Sequence, residues 1–219
     1  MSDRVSPITE CQFDNGMIAS KVGTWRPQGE PTRKDIKALR EAAEAEGYSV
    51  LYISSAEPIE ALEEHLQGRL IEFEGDRDTA LAVLNRFGQK YSVRTVEQSD
   101  WPVIFDLYQH AFLTRFSRDP LVGIPRARRH KLKCMRTYQK NHPEFFLIAE
   151  DAQKQVVGVQ GCMPRSTQFD LYESVILPQS RTGFAVAAML KENLIRCRDR
   201  HPEVTKLVTR IYSDNIVSS

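Results

Sequence analysis

The run FDLYESVILPQSRTGFAVAAMLKENLIRCRDRH, residues 169–201, limits the possible folds more than any other stretch of this chain. A β-prone apolar segment, Phe169 to Leu177, stops at Pro178. Five residues suited to a tight loop follow, Gln179 to Gly183, and then a helix. From Ala185 its apolar positions Ala188, Met189, Ile195 and Cys197 recur mostly at three- and four-residue steps, with Lys191, Glu192, Arg196 and Asp199 between them. A strand that feeds a loop and then a helix start is suited to holding a phosphate. The first amide hydrogens of a helix have no carbonyl partner, and the helix dipole favours an anion there. Gly183 permits a positive φ or a close backbone approach, and Ala185 is nearly as small, so a pyrophosphate has room to lie on the backbone. An ordinary β-α corner reads the same way. The stretch is not a P-loop, since no Gly-Lys-Ser/Thr follows, and it lacks the three glycines of the dinucleotide fingerprint.

The order of elements around this stretch narrows the choice. ECQFDNGMIASKVG, residues 10–23, reads as one or two short strands around the Asp14-Asn15-Gly16 turn. Thr32 caps a helix over Arg33 to Glu46, and Gly47 ends it. Ser49 to Ser55 is a buried strand, Pro58 to Leu66 a helix, GRLIEFEGD a strand, and Asp78 to Phe87 a short helix. A break at Phe87-Gly88-Gln89-Lys90 divides the chain into an N-terminal α/β unit, residues 1–88, and a second domain, residues 89–219. The second domain restarts with a strand, Tyr91 to Val96, and an N-cap at Ser99. Its first helix carries Ile104, Leu107, Tyr108 and Ala111. A second, very basic helix, RARRHKLKCMRTYQKN, has only Leu132, Met135 and Tyr138 for an apolar side. Its charge faces either solvent or an anionic ligand. Phe145 to Glu150 and Val156 to Met163 form a hairpin around Asp151 to Lys154. The opening strand and helix follow, and Lys206 to Tyr212 is a last strand. From residue 91 the order is β-α-α-β-β-β-α-β.

Composition excludes several classes. A net charge of +1 on 219 residues gives no overall attraction to nucleic acid or to a membrane surface. Cys11, Cys134, Cys162 and Cys197 are scattered without a C-x-x-C pair, which argues against a zinc site or a disulfide framework. The polar start MSDRVSPITE and the lack of a long apolar run predict a cytoplasmic protein without signal peptide or membrane span.

That order, with that loop after the fourth strand, resembles the GNAT superfamily of acyl-CoA-dependent N-acetyltransferases. PQSRTGFAVAAML is similar to the family's pyrophosphate loop, Q/R-x-x-G-x-G/A, with Gly183 and Ala185 at the two small positions and Ser180 where Gln or Arg is usual. YSDNIVSS resembles the segment in which an Asn contacts the cofactor, and Asn215 matches it. ECQFDNGMIASKVG with the helix and strand after it resembles the N-terminal half of bacterial TDP-4-amino-sugar acetyltransferases of the TDP-fucosamine type. Thr114-Arg115-Phe116 with Asp119-Pro120 is similar to their loop after the first helix.

The resemblance implies a mixed α/β sheet of GNAT type behind a smaller partial α/β unit, with acetyl-CoA as co-substrate and an amine on a nucleotide-linked sugar as acceptor. The pantetheine arm would run along Ser174, Val175 and Ile176, and the pyrophosphate over the amides of Arg181, Thr182, Gly183, Phe184, Ala185 and Val186. Candidate bases are Glu173 and His110, with Asp170 behind them. Tyr108, Arg115 and Phe116 would meet the acceptor, with Arg128 or Arg129 reaching a diphosphate. The family continues past the Asn with a helix, two strands and a Tyr general acid, whereas this sequence reaches Ser219 there. Either the polypeptide is a truncated form or another segment completes the sheet. As it stands, Lys206 to Tyr212 is expected to keep an uncovered edge, giving a homodimer that covers it or a chain that lacks its general acid and turns over poorly. Other readings are a GNAT acting on a different small amine, or a non-catalytic module that binds acyl-CoA or a partner chain.

Overall fold

The computed structural model describes residues 8–11, 21–56, 59–65, 70–88, 90–113, 125–180 and 183–212. The chain divides into two compact units. The first comprises Met1–Gln67 with Asp119–Lys131, and the second comprises Gly68–Arg118 with Leu132–Ser219. The expected boundary near residue 88 is therefore displaced, and residues 70–84 belong to the second unit.

In the first unit β1 (Thr9–Glu10) pairs antiparallel with β2 (Lys21–Trp25), and β2 pairs parallel with β3 (Tyr48–Ile53). The connection is α1 (Arg33–Ala45). Thr32 starts it with a reciprocal cap. The Asp35 amide donates to the Thr32 hydroxyl, and the Thr32 amide donates to the Asp35 carboxylate at 2.9 Å. Ile36, Leu39 and Ala43 are its buried stripe, and Trp25, Ile36 and Leu39 form the small core. The helix expected over Pro58 to Leu66 is a 3-10 turn at Glu60–His65. The Asp14-Asn15-Gly16 turn lies outside the described residues.

The second unit is a six-stranded sheet in the order β4-β9-β8-β7-β6-β5. Its strands are β4 (Leu70–Asp76), β5 (Ser92–Thr95), β6 (Phe146–Glu150), β7 (Val156–Pro164), β8 (Gln168–Ile176) and β9 (Lys206–Tyr212). All neighbours are antiparallel except β8 and β9, which are joined through a helical crossover. Its helices are α2 (Arg77–Leu84), α3 (Trp101–Leu113), α4 (Pro125–Asn141), of which the part from Leu132 onward belongs to this unit, and α5 (Phe184–Arg200).

Two cores flank the sheet. On one face Ile104, Leu107 and Tyr108 of α3 and Leu132 and Met135 of α4 pack on Phe146, Ile148, Val159 and Val175. On the other, Ala185, Met189, Leu194 and Cys197 of α5 pack on residues that include Leu147, Val157 and Phe169. The strands β6 and β7 read as near-continuous apolar runs because both of their faces are covered. Gly161 sits under Phe146, where an added Cβ would meet the ring at 2.6 Å.

Two expectations are corrected here. Ser99 is not an N-cap; instead the Asp100 carboxylate accepts from the Glu97 amide at 2.7 Å, closing a 3-10 turn at Gln98–Asp100 ahead of α3. Asp100 is held in place by Arg94, which also binds Glu150, so one guanidinium clamps two buried carboxylates at the start of the sheet. The edge of β9 is not uncovered either. β4 pairs with it antiparallel along its whole length, from Leu70↔Tyr212 to Asp76↔Lys206. The argument for a homodimer from an open β9 edge accordingly falls away. Among the described residues no helix is long and apolar enough to cross a membrane.

Candidate functional site

The site is built where β8 and β9 part. They pair over only four residues, Gln168↔Lys206 to Leu171↔Thr209. At that point β8 carries a bulge. Gly161 faces Glu173 and Cys162 faces Leu171, so Tyr172 is an extra residue with no partner position on β7. A bulge bends its strand and increases the local twist, which ends pairing on the far edge. Beyond it β8 follows β7 while β9 follows β4, and a cleft opens between two parallel strands.

The backbone of β8 is oriented for that cleft. Leu177 donates to the Val157 carbonyl at 2.8 Å. Alternation along an antiparallel ladder then turns Val175 toward β7 and the amide and carbonyl of Ser174 toward the edge that β9 has left. Ser174 is exposed, whereas Val175 and Ile176 are buried in the cores on opposite faces. Of the three residues expected to line the pantetheine arm, Ser174 alone presents both backbone and side chain.

Past Ile176 the chain turns through a 3-10 segment, Pro178–Ser180, and reaches the N-terminus of α5 at Gly183. Gly183 has φ +80, a left-handed conformation that side chains other than glycine rarely adopt, and among the described residues no atom beyond its chain neighbours lies within 4 Å of where its Cβ would be. The Ala187 amide donates to the Gly183 carbonyl, so the amides of Phe184, Ala185 and Val186 precede the first intrahelical bond. Ala185 is fully buried against the sheet. Phe184 is partly exposed and meets Phe87 edge-on at 6.3 Å. Lys90 Nζ lies 5.9 Å from the Phe184 ring centre. Sequence reasoning did not single out Phe87 and Lys90, because nothing local ties the loop after α2 to the start of α5.

The remaining candidates divide clearly. Glu173 is half-buried, directly after the bulge and opposite Gly161. Asp170 is buried and paired with Arg165 across the strand end, so it serves that turn instead of the cleft. Tyr108 is 1% exposed in the core under α3, and His110 is exposed near the end of that helix. Arg181, Thr182, Arg115, Phe116 and Asn215 lie outside the described residues. On α4 the side chains of Arg129, Lys133, Arg136 and Lys140 are exposed at helical spacing and form a basic stripe.

The overall arrangement of these elements also occurs in solved structures. The chain superposes on a functionally unknown conserved protein from Staphylococcus epidermidis with TM-score 0.57 and 12% identity, over 95% of this chain and 82% of that one. It superposes on a GCN5-related N-acetyltransferase from Sphaerobacter thermophilus with TM-score 0.50 and 16% identity, over 83% of this chain and 56% of that one. The fold is that of the GNAT acetyltransferases. No protein-family model and no curated protein matches the chain.

Proposed function

We propose that this protein transfers an acyl group, in the first instance acetyl, from acyl-coenzyme A to an amine. The observation that carries this reading is the cleft at Tyr172, which exposes the Ser174 backbone beside the left-handed Gly183 at the start of α5. An extended acyl-pantetheine arm needs backbone donors and acceptors along one side, and its pyrophosphate needs unpaired amides at the end. Both are within one strand-loop-helix unit. Ser174 would hold the arm, and the amides of Phe184 to Val186 would hold the pyrophosphate.

The reaction needs an uncharged amine. Its lone pair attacks the thioester carbon, the carbonyl oxygen gains negative charge, the C–S bond breaks and the thiolate takes a proton. Glu173 is the base in this reading, since it follows the bulge and is only half covered. His110, exposed on α3, is the alternative. The acceptor we propose is an amine on a nucleotide-linked sugar of the TDP-4-amino-4,6-dideoxyhexose type. What supports it is the Thr114-Arg115-Phe116 and Asp119-Pro120 sequence together with the basic stripe on α4, which suits an anionic acceptor. Tyr108, in this reading, backs the acceptor site by packing.

A thiol-release assay with acetyl-CoA over a panel of amines tests the whole reading. The panel holds a TDP-amino sugar, an aminoglycoside, a polyamine and a peptide N-terminus. Turnover of the sugar alone supports both levels, and turnover of another amine removes only the acceptor. Glu173→Gln should lower kcat by about 10²–10⁴ and leave acetyl-CoA binding intact. CoA binding without turnover of any amine would make the protein a non-catalytic acyl-CoA module.

A further inference from the structure

A buried polar chain runs behind the cleft. Asn193, in the middle of α5, and Gln160, on the central strand β7, are both 0% exposed. Asn193 Nδ2 donates to Gln160 Oε1 at 3.1 Å, and Gln160 Nε2 donates to Ser174 Oγ at 2.9 Å. The Cys162 thiol points to the same Gln160 Oε1 at 3.8 Å. Burial pushes that thiol well above its ordinary pKa, so it stays protonated and keeps a weak S–H donor facing Oε1. Asn193 Oδ1 is buried with no hydrogen-bond partner among the described residues.

This arrangement is costly for packing alone. Two amides desolvated between a helix and a sheet gain little over apolar residues of the same shape, and an unmade buried bond costs the full desolvation of that group. Its consequence for Ser174 is directional. With Gln160 Oε1 occupied from behind, the Gln160 amide presents its N–H to the serine. The hydroxyl then accepts from the Gln160 amide and cannot donate to it. Its own proton is directed outward, on the strand whose backbone at this residue faces the cleft.

Resting on the acyl-CoA reading above, we propose that Ser174 Oγ–H donates to a carbonyl oxygen of the acyl-pantetheine arm, and that Gln160 and Asn193 are positioning residues that fix the direction of that donor. An amide carbonyl of the arm and the thioester carbonyl share this chemistry. Loss of Asn193 would free Gln160 to rotate and offer Oε1 instead, and the serine proton would turn inward. The same contact would be lost without any change at Ser174.

Titration calorimetry with CoA and with acetyl-CoA tests this. Ser174→Ala should weaken binding about three- to tenfold, the share of one neutral hydrogen bond. Ser174→Thr, which keeps the hydroxyl, should restore it. Asn193→Ala should weaken binding to a similar degree, and the double variant should be no weaker than Ser174→Ala, because both remove one contact. Equal losses for both ligands assign an amide carbonyl, and a loss for acetyl-CoA alone assigns the thioester. Unchanged affinity in Ser174→Ala, no recovery in Ser174→Thr, or additive losses in the double variant would each overturn the relay. If Asn193→Ala does not fold, the two serine variants decide alone. Failure of the wild-type protein to bind either ligand overturns the functional reading first and the relay with it, whereas wild-type binding with an indifferent Ser174→Ala removes only the relay.

Discussion

Replacing Gly183 separates two reasons for a glycine at the start of α5. Its φ of +80 would place any other residue in the left-handed region, at a cost of about 1–2 kcal/mol for alanine. Among the described residues nothing beyond the chain neighbours lies within 4 Å of the new Cβ, so no clash with them adds to that cost. At about 2–4 °C per kcal/mol for a protein of this size, Gly183→Ala should melt roughly 2–8 °C lower and otherwise fold normally. The empty volume has a second meaning if a pyrophosphate rests on the Phe184 to Val186 amides, because the Cβ then stands where the ligand approaches. CoA affinity should fall about tenfold or more, while S-acetylpantetheine, which has no pyrophosphate, should bind Gly183→Ala as it binds the wild type. Gly183→Asn tells strain from obstruction. Asparagine tolerates the left-handed conformation better than alanine but carries the same Cβ. Its stability should recover and its CoA affinity should not. Calorimetry with both ligands and a melting curve on each variant suffice, and full CoA affinity in folded Gly183→Ala would refute the placement of the pyrophosphate.

Arg94→Met should cost about 2–3 kcal/mol at pH 7, because it leaves the Asp100 carboxylate, 9% exposed, without its cation and Glu150, 11% exposed, with only the exposed Lys154; the figure is below that of a fully buried pair because Arg94 is itself 37% exposed. Arg94 holds both carboxyls below their ordinary range, so their contribution is complete above about pH 4–5 and is lost as pH falls through the lowered values; denaturant melts should show the wild type and Arg94→Met converging in acid, and a constant gap would refute the clamp. Gly161→Ala should cost about 1–3 kcal/mol, since the methyl meets the fully buried Phe146 ring and neither can move away; an unchanged melting temperature would show that β7 has slack there.

How much of the site could be read beforehand depends on how local each signal is. The loop and helix at residues 178–200 were legible because Pro178, Gly183 and the apolar steps of α5 are consecutive in the chain. The bulge at Tyr172 was not. An extra residue in β8 exists only relative to its partner β7, and no residue type in FDLYESVI marks it. Gln160 and Asn193 were missed for a similar reason. A Gln among valines and an Asn on a helix read as solvent-facing until the strand and the helix are laid against each other, which turns both inward. Tyr108 erred in the opposite direction. Its ring suggested a ligand contact, but its position with Ile104 and Leu107 places it in the core.

The first strand of the β4–β9 pair shows the same limit on a larger scale. Alternation in GRLIEFEGD revealed a strand, and its nearness to the first β-α-β pattern assigned it to the N-terminal unit. Sequential neighbours usually do pair, so that assignment followed the common rule. The competing fact is the need of β9. A strand at the end of a sheet that has parted from β8 exposes its backbone groups unless another strand takes them, and Leu70–Asp76 matches it residue for residue over seven positions. The charges agree with the register. Glu72 stands opposite Arg210 and reaches it at 2.6 Å, and Glu74 reaches Lys206 diagonally at the same distance. These four side chains are about half exposed, so each pair contributes at most ~1 kcal/mol and selects the register more than it stabilises the sheet. Arg77, which directly follows β4, adds a fixed point. Its guanidinium is buried and donates to the carbonyl of Val204 at 2.8 Å, ahead of β9. Among the described residues the partner of β9 on this edge comes from before the sheet, from β4. The segment that completes β9 therefore continues directly into α2, which packs on α5, so the two arms of the cleft are braced by one continuous piece of chain.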